Sequence, residues 1–315
     1  MRSRLPVFMI LLLFGCVRMA WSGAPQSTTA ARPELKNEPL RPEYKALEHV
    51  PLPDRWYEVY RVRPGVFAIY EPHQYEEVIS YLIVGSQRAL LFDTGLGMGN
   101  LCAVVTALTS LPITVLNSHT HFDHIGSNWQ FDSILSPNIP FARRNAEGAS
   151  HNQVSDAVLP ERFCGDLPPG FRPDEYLIHP FQVSGFVKDN QTIDIGGRSL
   201  EVVLTPGHTP DSLCLVDHMN RILFVGDTFY PGPIYLYVPE TDVVAYEDSV
   251  DRLATLVPQL DLILTSHNLP VSRPEMLLRL SDAFRQLRTG KAQFTASGTQ
   301  REYIFDGFSL LLANK

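Results

Sequence analysis

Histidine and aspartate are concentrated in the segment SHTHFDHIGSN, residues 118–128. Within six positions the segment holds His119, His121, Asp123 and His124. Histidine is a mediocre helix former and only an intermediate core residue, so this density has little structural use. Neutral imidazole and carboxylate are ordinary ligands for zinc and iron. The segment therefore predicts a metal site.

Further Asp and His residues stand where short apolar runs, typical of β-strands, come to an end. TVLNSH runs into the histidine cluster, and the other four runs are ALLFD ending at Asp93, EVVLTPGH at His208, ILFVGD at Asp227 and LILTSH at His267. Residues at strand ends can converge on one rim of a packed sheet while the strands fix their positions. We expect these residues to form one site.

The same patterning predicts the elements around this site. Strands are predicted in VYRVRPGVFAIYE, VISYLIVG, RALLFDTG, ITVLNSH and LDLILTSH, and hairpins in TIDIGGRSLEVVLTPGH and in SLCLVD with RILFVGD. Helices are predicted in LCAVVTALTSL, YEDSVDRLATLV and, last along the chain, RPEMLLRLSDAFRQLRTG. Residues 145–180 are irregular and rich in Pro, Gly and aromatic side chains, so we expect them to cover part of the molecule.

Composition narrows the class of protein. The chain has 315 residues, of which 44% are hydrophobic, as expected for a globular protein with a full core. Its net charge of −8 and the absence of a Lys/Arg block argue against nucleic acid as a partner, and the partner we expect is a small-molecule substrate of the metal site. No CxxC pair occurs among the four cysteines, so a cysteine-rich zinc module is excluded.

The first 22 residues have the order of a secretory signal peptide: basic MRSR, apolar LPVFMILLLFG and small-residue MAWS. Cleavage after Ser22 would make the protein periplasmic or secreted. Two alternatives stay open, an uncleaved N-terminal anchor and a lipoprotein modified at Cys16, and only these would attach the chain to a membrane. Residues 23–55 are predicted to be a linker or N-terminal arm and residues 56–315 the catalytic domain.

The HxHxDH motif followed by a downstream His, Asp and His resembles the metallo-β-lactamase superfamily over roughly residues 57–285. The resemblance implies an α/β fold, a four-layer αβ/βα sandwich with a binuclear metal site at one edge. It also implies two Zn²⁺ ions, with Fe or Mn as alternatives. The first ion would be held by His119, His121 and His208, the second by Asp123, His124 and His267, with Asp227 bridging the two.

Two further roles follow from the resemblance. Asp93, in FDTG, would lie behind the ligands and fix the histidine loop, as outer carboxylates do. Asp123 is expected to take part in catalysis as well as in metal binding.

Two ions a few ångströms apart can hold a hydroxide and polarise a substrate carbonyl, which predicts hydrolysis of an ester, thioester, lactone or amide. A bridging Asp227 resembles the glyoxalase II, lactonase and acyl-thioesterase branches, and the segments WYEVYRVRPGVFAIYE, HFDHIGSNWQFD and RILFVGDTFYPGPIYLYVP resemble the last of these. Coenzyme A thioesters are cytosolic, which conflicts with export. The resemblance is therefore used to predict the reaction of this protein but not its substrate. The expected function is therefore an exported binuclear zinc hydrolase of an ester, thioester or lactone.

The aromatic stretch FYPGPIYLYVP supplies Tyr230, Tyr235 and Tyr237 just after Asp227. These side chains could line an apolar acyl pocket, or they could pack in the core. Three alternative functions also stay open: a β-lactamase using the same site, a mononuclear iron dioxygenase, and a non-catalytic metal-binding protein. The last two are disfavoured because the sequence has a full set of seven candidate ligands.

Overall fold

A computed structural model describes residues 41–314 of the chain. The predicted leader, residues 1–22, and the first part of the predicted arm therefore lie outside the described residues. The last part of that arm contacts the body, because a 3-10 helix at Pro42–Ala46 buries Tyr44, whose ring stacks on that of Tyr70 at 4.5 Å. Within residues 41–314, no helix combines the length and the apolar character needed to cross a bilayer.

Eight strands form the first sheet, and they lie in the sheet in the same order as along the chain. They are β1 (Glu48–His49), β2 (Glu58–Arg63), β3 (Val66–Tyr70), β4 (Ile79–Val84), β5 (Ala89–Phe92), β6 (Ile113–Leu116), β7 (Ile134–Pro137) and β8 (Gly185–Val187). Pairing is antiparallel from β1 to β5 and parallel from β5 to β8.

Six strands form the second sheet, in the order β15-β14-β12-β11-β10-β9. They are β9 (Thr192–Asp194), β10 (Ser199–Leu204), β11 (Leu213–Asp217), β12 (Ile222–Gly226), β14 (Leu262–Thr265) and β15 (Val271–Ser272). Among these described strands, only β12 and β14 pair in parallel. The carboxyl ends of these two strands therefore share one edge, as those of β5 and β6 do in the first sheet.

The α-helices of the described residues are α1 (Leu101–Leu108), α2 (Phe122–Ile125), α3 (Pro140–Asn145), α4 (His151–Val154), α5 (Val243–Ala254) and α6 (Glu275–Arg288). Side-chain caps fix where two of the longer ones begin. Asn100 accepts a hydrogen bond from the Ala103 amide at the start of α1, and Asp242 accepts from Val244 and Ala245 at the start of α5. Such caps satisfy amide groups that have no partner inside the helix.

Alternating side chains of the two sheets divide the core into three apolar layers. Tyr81 of β4 and Phe224 of β12 face each other between the sheets, with ring centroids 5.4 Å apart at 74°. Leu82, next to Tyr81, points the other way, into a layer shared with α1, and Leu223 points into a layer shared with α5 and α6. Since successive side chains of a strand face opposite sides, each sheet is covered by helices on its outer face. The result is the predicted order of helix, sheet, sheet and helix.

The structure also contains a third sheet, whose strands were not predicted from the sequence. Its strands, in the order β13-β18-β17-β16, are β13 (Gly232–Leu236), β16 (Thr295–Ser297), β17 (Gln300–Phe305) and β18 (Phe308–Ala313). The prediction that α6 is the last element is therefore wrong, because a hairpin follows it and pairs in parallel with β13. β13 was not predicted because it contains Pro233, and proline argues against a strand in the middle of a sheet. Pro233 is tolerated because β13 lies at the edge of its sheet.

Candidate metal centre

The seven candidate ligands lie together at the edge where the two large sheets present the carboxyl ends of their parallel strands. Asp93 follows β5, the histidine cluster follows β6, Asp227 follows β12 and His267 follows β14. His208 lies in the loop after β10. Six of the ligands are buried, and His121 is partly buried. The predicted convergence of the strand ends is therefore what the structure shows.

Two local features bring the loops close to one another. Gly226 ends β12 with a φ of +51°, and a Cβ at this position would lie 2.5 Å from the Cβ of Ser118. Glycine adopts this backbone conformation without steric cost, so the segment carrying Asp227 can approach the histidine loop. In that loop, the single turn α2 presents Asp123 and His124, with His121 just before its first residue.

Each of the five histidines uses one ring nitrogen to bind an oxygen outside the centre. The pairs are His119 Nδ1 with Ser118 Oγ (3.0 Å), His121 Nε2 with Glu240 Oε1 (2.9 Å), His124 Nδ1 with Asp93 Oδ2 (3.0 Å), His208 Nδ1 with the Tyr235 carbonyl (3.1 Å) and His267 Nδ1 with the Glu76 carbonyl (2.7 Å). Carbonyl and carboxylate oxygens only accept, so the outer nitrogen that faces one of them carries the proton. In the neutral ring the inner nitrogen then keeps its lone pair, which can bind a metal ion.

The inner nitrogens converge with the two aspartates into overlapping groups. In each group the ligand atoms lie within 4.8 Å of one another, and the groups are His119, His121 and His208; Asp123, His124 and His267; and His119, His124 and Asp227. The first two groups match the two ion sites that the resemblance implied. The third joins them through Asp227.

Asp227 faces both groups with different oxygens. Its Oδ1 lies 3.1 Å from His267 Nε2 and 3.3 Å from His124 Nε2, whereas its Oδ2 lies 3.6 Å from His208 Nε2. Asp123 contributes only to the second group, where its Oδ2 lies 3.6 Å from the same two nitrogens of His124 and His267. The carboxylate of Asp227 is thus positioned to bridge.

The inner atoms fit a cation better than they fit one another. His208 Nε2 and His121 Nδ1 lie 3.1 Å apart, although both are acceptors when the outer nitrogens carry the protons. Within the described residues, His119 Nε2, His124 Nε2 and Asp227 Oδ1 are buried without a hydrogen-bond partner. Buried polar atoms without partners are costly, and a metal ion that replaces the protons on the inner nitrogens would satisfy them. The described residues therefore fit one divalent ion in each group.

The pKa values of the metal-free site show how closely its charges are coupled. Burial lowers the pKa of His208 to about 4, and the neighbouring His121 acts in the same direction. Burial also opposes the charged form of His267, but Asp227 and Asp123 outweigh it and raise the pKa of His267 to about 9. In the same way Asp123, Asp227 and Asp93 outweigh burial and raise the pKa of His124 well above its ordinary value. In the metal-free protein, protonated rings of His124 and His267 therefore balance the negative charges of Asp123 and Asp227.

Asp93 lies behind the histidine loop, where the resemblance placed it. Its Oδ1 accepts from the Ser118 amide at 2.6 Å, and its Oδ2 accepts from Ser118 Oγ, His124 Nδ1 and Ser266 Oγ at 2.9, 3.0 and 3.2 Å. One fully buried carboxylate therefore joins the ends of β5, β6 and β14. Its role toward the metal remains a prediction.

Three oxygens behind the histidines were not found by sequence analysis: the carboxylate of Glu240 and the carbonyl groups of Glu76 and Tyr235. No local pattern marks them, since QYEEVI and VPETD read as ordinary loops. Burial, followed by the charge of Asp123, raises the pKa of the Glu76 carboxyl to about 7. Glu76 therefore adds a third acidic group, besides Asp93 and Glu240, at the edge of the centre.

The three tyrosines take different places. Tyr230 is buried, and its ring centroid lies 4.9 Å from that of His267. Tyr235 and Tyr237 are partly buried and pack edge-on at 5.8 Å, one on each side of a residue of β13 that points into the core. The structure thus brings Tyr230 and the backbone of Tyr235 to the centre. A role in substrate binding remains a prediction for all three.

The family of the chain follows from comparison with known proteins. The family model of the metallo-beta-lactamase superfamily matches residues 76–267, which include all seven candidate ligands. The chain belongs to this superfamily. Its predicted fold is therefore confirmed, and a metal-dependent hydrolase of this superfamily is supported.

The acyl-coenzyme A thioesterase MBLAC2 of chicken (Gallus gallus) is 31% identical over 203 residues, 59% of this chain and 71% of the relative. The human (Homo sapiens) protein of the same name is 28% identical over 230 residues, 67% of this chain and 81% of the relative. The solved structure of a metallo-beta-lactamase family protein from Thermus thermophilus covers 73% of this chain and 82% of its own at 22% identity, with a TM-score of 0.52. This structural likeness supports the fold alone.

Proposed function

We propose that the chain is a binuclear zinc hydrolase that cleaves a thioester, ester or lactone. The observation that carries this proposal is the position of Asp227, whose two oxygens face different groups of histidine nitrogens. A mononuclear centre would need only one of these groups. The similarity to two enzymes named acyl-coenzyme A thioesterases supports an acyl substrate with a thiol leaving group.

Two zinc ions would supply Lewis acidity toward a carbonyl oxygen and a water that is nucleophilic at neutral pH. The residues of the chain would fix the positions of the ions and of the reacting water. His124 and His267 are fixed by bonds to Asp93 and to the Glu76 carbonyl, so their inner nitrogens cannot turn away. We propose that Asp123, which is buried at the start of α2, would accept a proton from a water in the second group.

Tyr230 is suited to contact the substrate. Its phenol is neutral at neutral pH, and burial and then the charge of Asp227 favour this form further by raising its pKa well above the ordinary value. A neutral phenol beside His267 can donate a hydrogen bond to a carbonyl oxygen while its ring contacts an acyl chain. We propose that the rings of Tyr235 and Tyr237, at the end of β13, continue the aromatic surface that Tyr230 offers to the acyl chain.

A panel of substrates tests the function. Purified protein is incubated with short-chain and long-chain acyl thioesters, a lactone, a penicillin and a carbapenem, and a blank without substrate corrects for the thiols of the protein itself. We expect thioesters and lactones to be cleaved, with loss of activity after chelation and return after zinc is added. Efficient opening of the β-lactams with no cleavage of thioesters or lactones would show that the proposed substrate class is wrong.

We also propose that the protein acts outside the cytoplasm, on the strength of the basic, apolar and small-residue order of residues 1–22. Sequencing the N-terminus of protein from its own cells tests this. A chain beginning at residue 23 supports export, and a lipid-modified Cys16 supports the lipoprotein alternative. Intact residues 1–22 on protein recovered from the cytosol would contradict both.

A further inference from the structure

Glu240 is a carboxylate outside the seven candidate ligands that contacts one of them directly. Its Oε1 lies 2.9 Å from His121 Nε2, and the two side chains are only 14% and 16% exposed. This nitrogen donates a hydrogen bond to Glu240. The other nitrogen, Nδ1, therefore has its lone pair directed toward His208 Nε2, at 3.1 Å. Glu240 therefore fixes both the ring orientation and the tautomer of His121.

The segment that carries Glu240, residues 235–242, also holds His208. The Tyr235 carbonyl accepts from His208 Nδ1 at 3.1 Å, and Thr241 Oγ1 donates to the His208 carbonyl at 3.1 Å. The Asp242 amide donates to the carbonyl of the residue before His208 at 2.8 Å. Two of the three histidines of the first group thus rest on this one segment.

The second group is held by other parts of the chain. His124 binds Asp93, and His267 binds the carbonyl of Glu76 in the loop before β4. Asp93 and Glu76 lie far along the chain from residues 235–242 and belong to the first sheet and its loops. A change of the Glu240 side chain therefore reaches the first group through His121, without passing through the bonds that hold His124 and His267.

Packed elements keep this segment in place. It begins in β13, which pairs in parallel with β18 from Gly232 to Leu236, and it ends at Asp242, the cap of α5. Only six residues, 237–242, separate the end of β13 from the start of α5. A short connection between two fixed elements has few alternative conformations, so the position of Glu240 is set before any ion binds.

We propose that Glu240 is a positioning residue that sets the affinity of the first ion site independently of the second. This inference rests on the proposed binuclear function. A carboxylate that accepts from the outer nitrogen of a ligand histidine orients the ring and makes the inner nitrogen a stronger donor to metal. Removal of such a partner lowers metal affinity by about 10- to 100-fold.

Glu240→Gln tests the proposal, because the amide keeps the size of the side chain and removes its charge. Metal-free protein is titrated with zinc in competition with a chromophoric chelator, which resolves the two binding steps. We expect one step to weaken by about 10- to 100-fold and the other to stay unchanged. His121→Ala, in the same titration, identifies the step that belongs to the first group, and the two variants should affect the same step.

The matched control is Glu201→Gln. Glu201 also binds a histidine, since its Oε2 lies 2.5 Å from His218 Nε2, but that pair is exposed and involves none of the ligands. Both titration steps should be unchanged in this variant. The denaturant midpoint of the metal-free protein should also be the same for the wild type, Glu240→Gln and Glu201→Gln.

Three results would overturn the inference. Glu240→Gln could leave both steps unchanged, it could weaken both equally, or it could lower the stability of the metal-free protein or fail to fold, which would make the role structural. A wild-type protein that binds only one zinc, or none, would contradict the proposed function as well. The wild-type titration thus separates failure of the function from failure of the inference.

Discussion

Replacing Asp93 with asparagine should either weaken the second ion site or lower the stability of the fold, without disturbing the backbone. Asp93 has a φ of +66°, a conformation that asparagine tolerates better than most residues, so this change isolates the charge. Alanine would add backbone strain of about 1–2 kcal/mol in the same position. Asparagine is therefore the more informative substitution.

The expected magnitude follows from the four donors around Asp93. If the amide oxygen faces Ser118 Oγ, Ser266 Oγ and His124 Nδ1, the amide nitrogen meets the Ser118 amide, and two donors oppose each other. One buried donor without a partner costs about 1–3 kcal/mol of stability. If the amide turns over, its nitrogen faces His124 Nδ1, and the proton of His124 must move to Nε2.

A proton on Nε2 removes the lone pair of His124 that points into the second group. We therefore expect zinc affinity at that site to fall by about 10- to 100-fold. By the usual conversion of about 1.4 kcal/mol for each tenfold change, this is about 1.4–2.8 kcal/mol. The asparagine variant incurs one cost or the other, in stability or in metal binding.

Two measurements are needed, denaturant unfolding of the metal-free protein and zinc titration of the folded protein. The control is Asp306→Asn, whose carboxylate is 90% exposed and pairs only with the partly exposed Arg279 within the described residues. We expect the control to change stability by no more than about 0.5 kcal/mol. Wild-type stability together with wild-type zinc affinity in Asp93→Asn would show that the charge of Asp93 supports neither the fold nor the second ion site.

Three further predictions concern the centre and the core. Asp227→Ala should lose or displace one zinc and slow hydrolysis by orders of magnitude, with Asp227→Asn in between; full metal content and full rate would exclude a bridging role. Zinc binding at pH 7 should release protons, because the raised pKa values of His124 and His267 (about 9 for the latter) leave both rings protonated in the metal-free protein. An indicator dye measures this release, which should diminish above pH 9, and no release at pH 7 would contradict it. Phe224→Ala should lower the free energy of unfolding by about 3–5 kcal/mol, measured with denaturant, because its ring lies between the sheets near Tyr81 and Phe92. The folded variant should still bind two zinc ions, and loss of zinc would show that the core and the centre are coupled.

The ligands could be predicted from the sequence because their signals are local. Asp227 and His267 each end a short apolar run, and the strand before each residue fixes where its side chain lies. Such signals depend on neighbours within a few residues. The layer order was not predicted in this way: it followed from the resemblance of the HxHxDH motif to the metallo-β-lactamase superfamily, because short apolar runs do not show how two sheets stack.

The groups behind the ligands depend on distant contacts, so the sequence does not show them. Glu240 is 119 residues from His121, and the Glu76 carbonyl is 191 residues from His267. The third sheet was missed for a related reason, since Gly232 of β13 pairs with the distant Phe308 of β18. One local signal was available: Asp306-Gly307, between two apolar runs, is typical of a hairpin turn.

Stepwise addition of zinc to metal-free protein tests the central claim most directly, with zinc per chain and thioester cleavage measured at each step. We expect two zinc ions to bind to each folded chain and full activity to require both. A folded protein that binds no metal, or that cleaves its substrate equally well without metal, would contradict it.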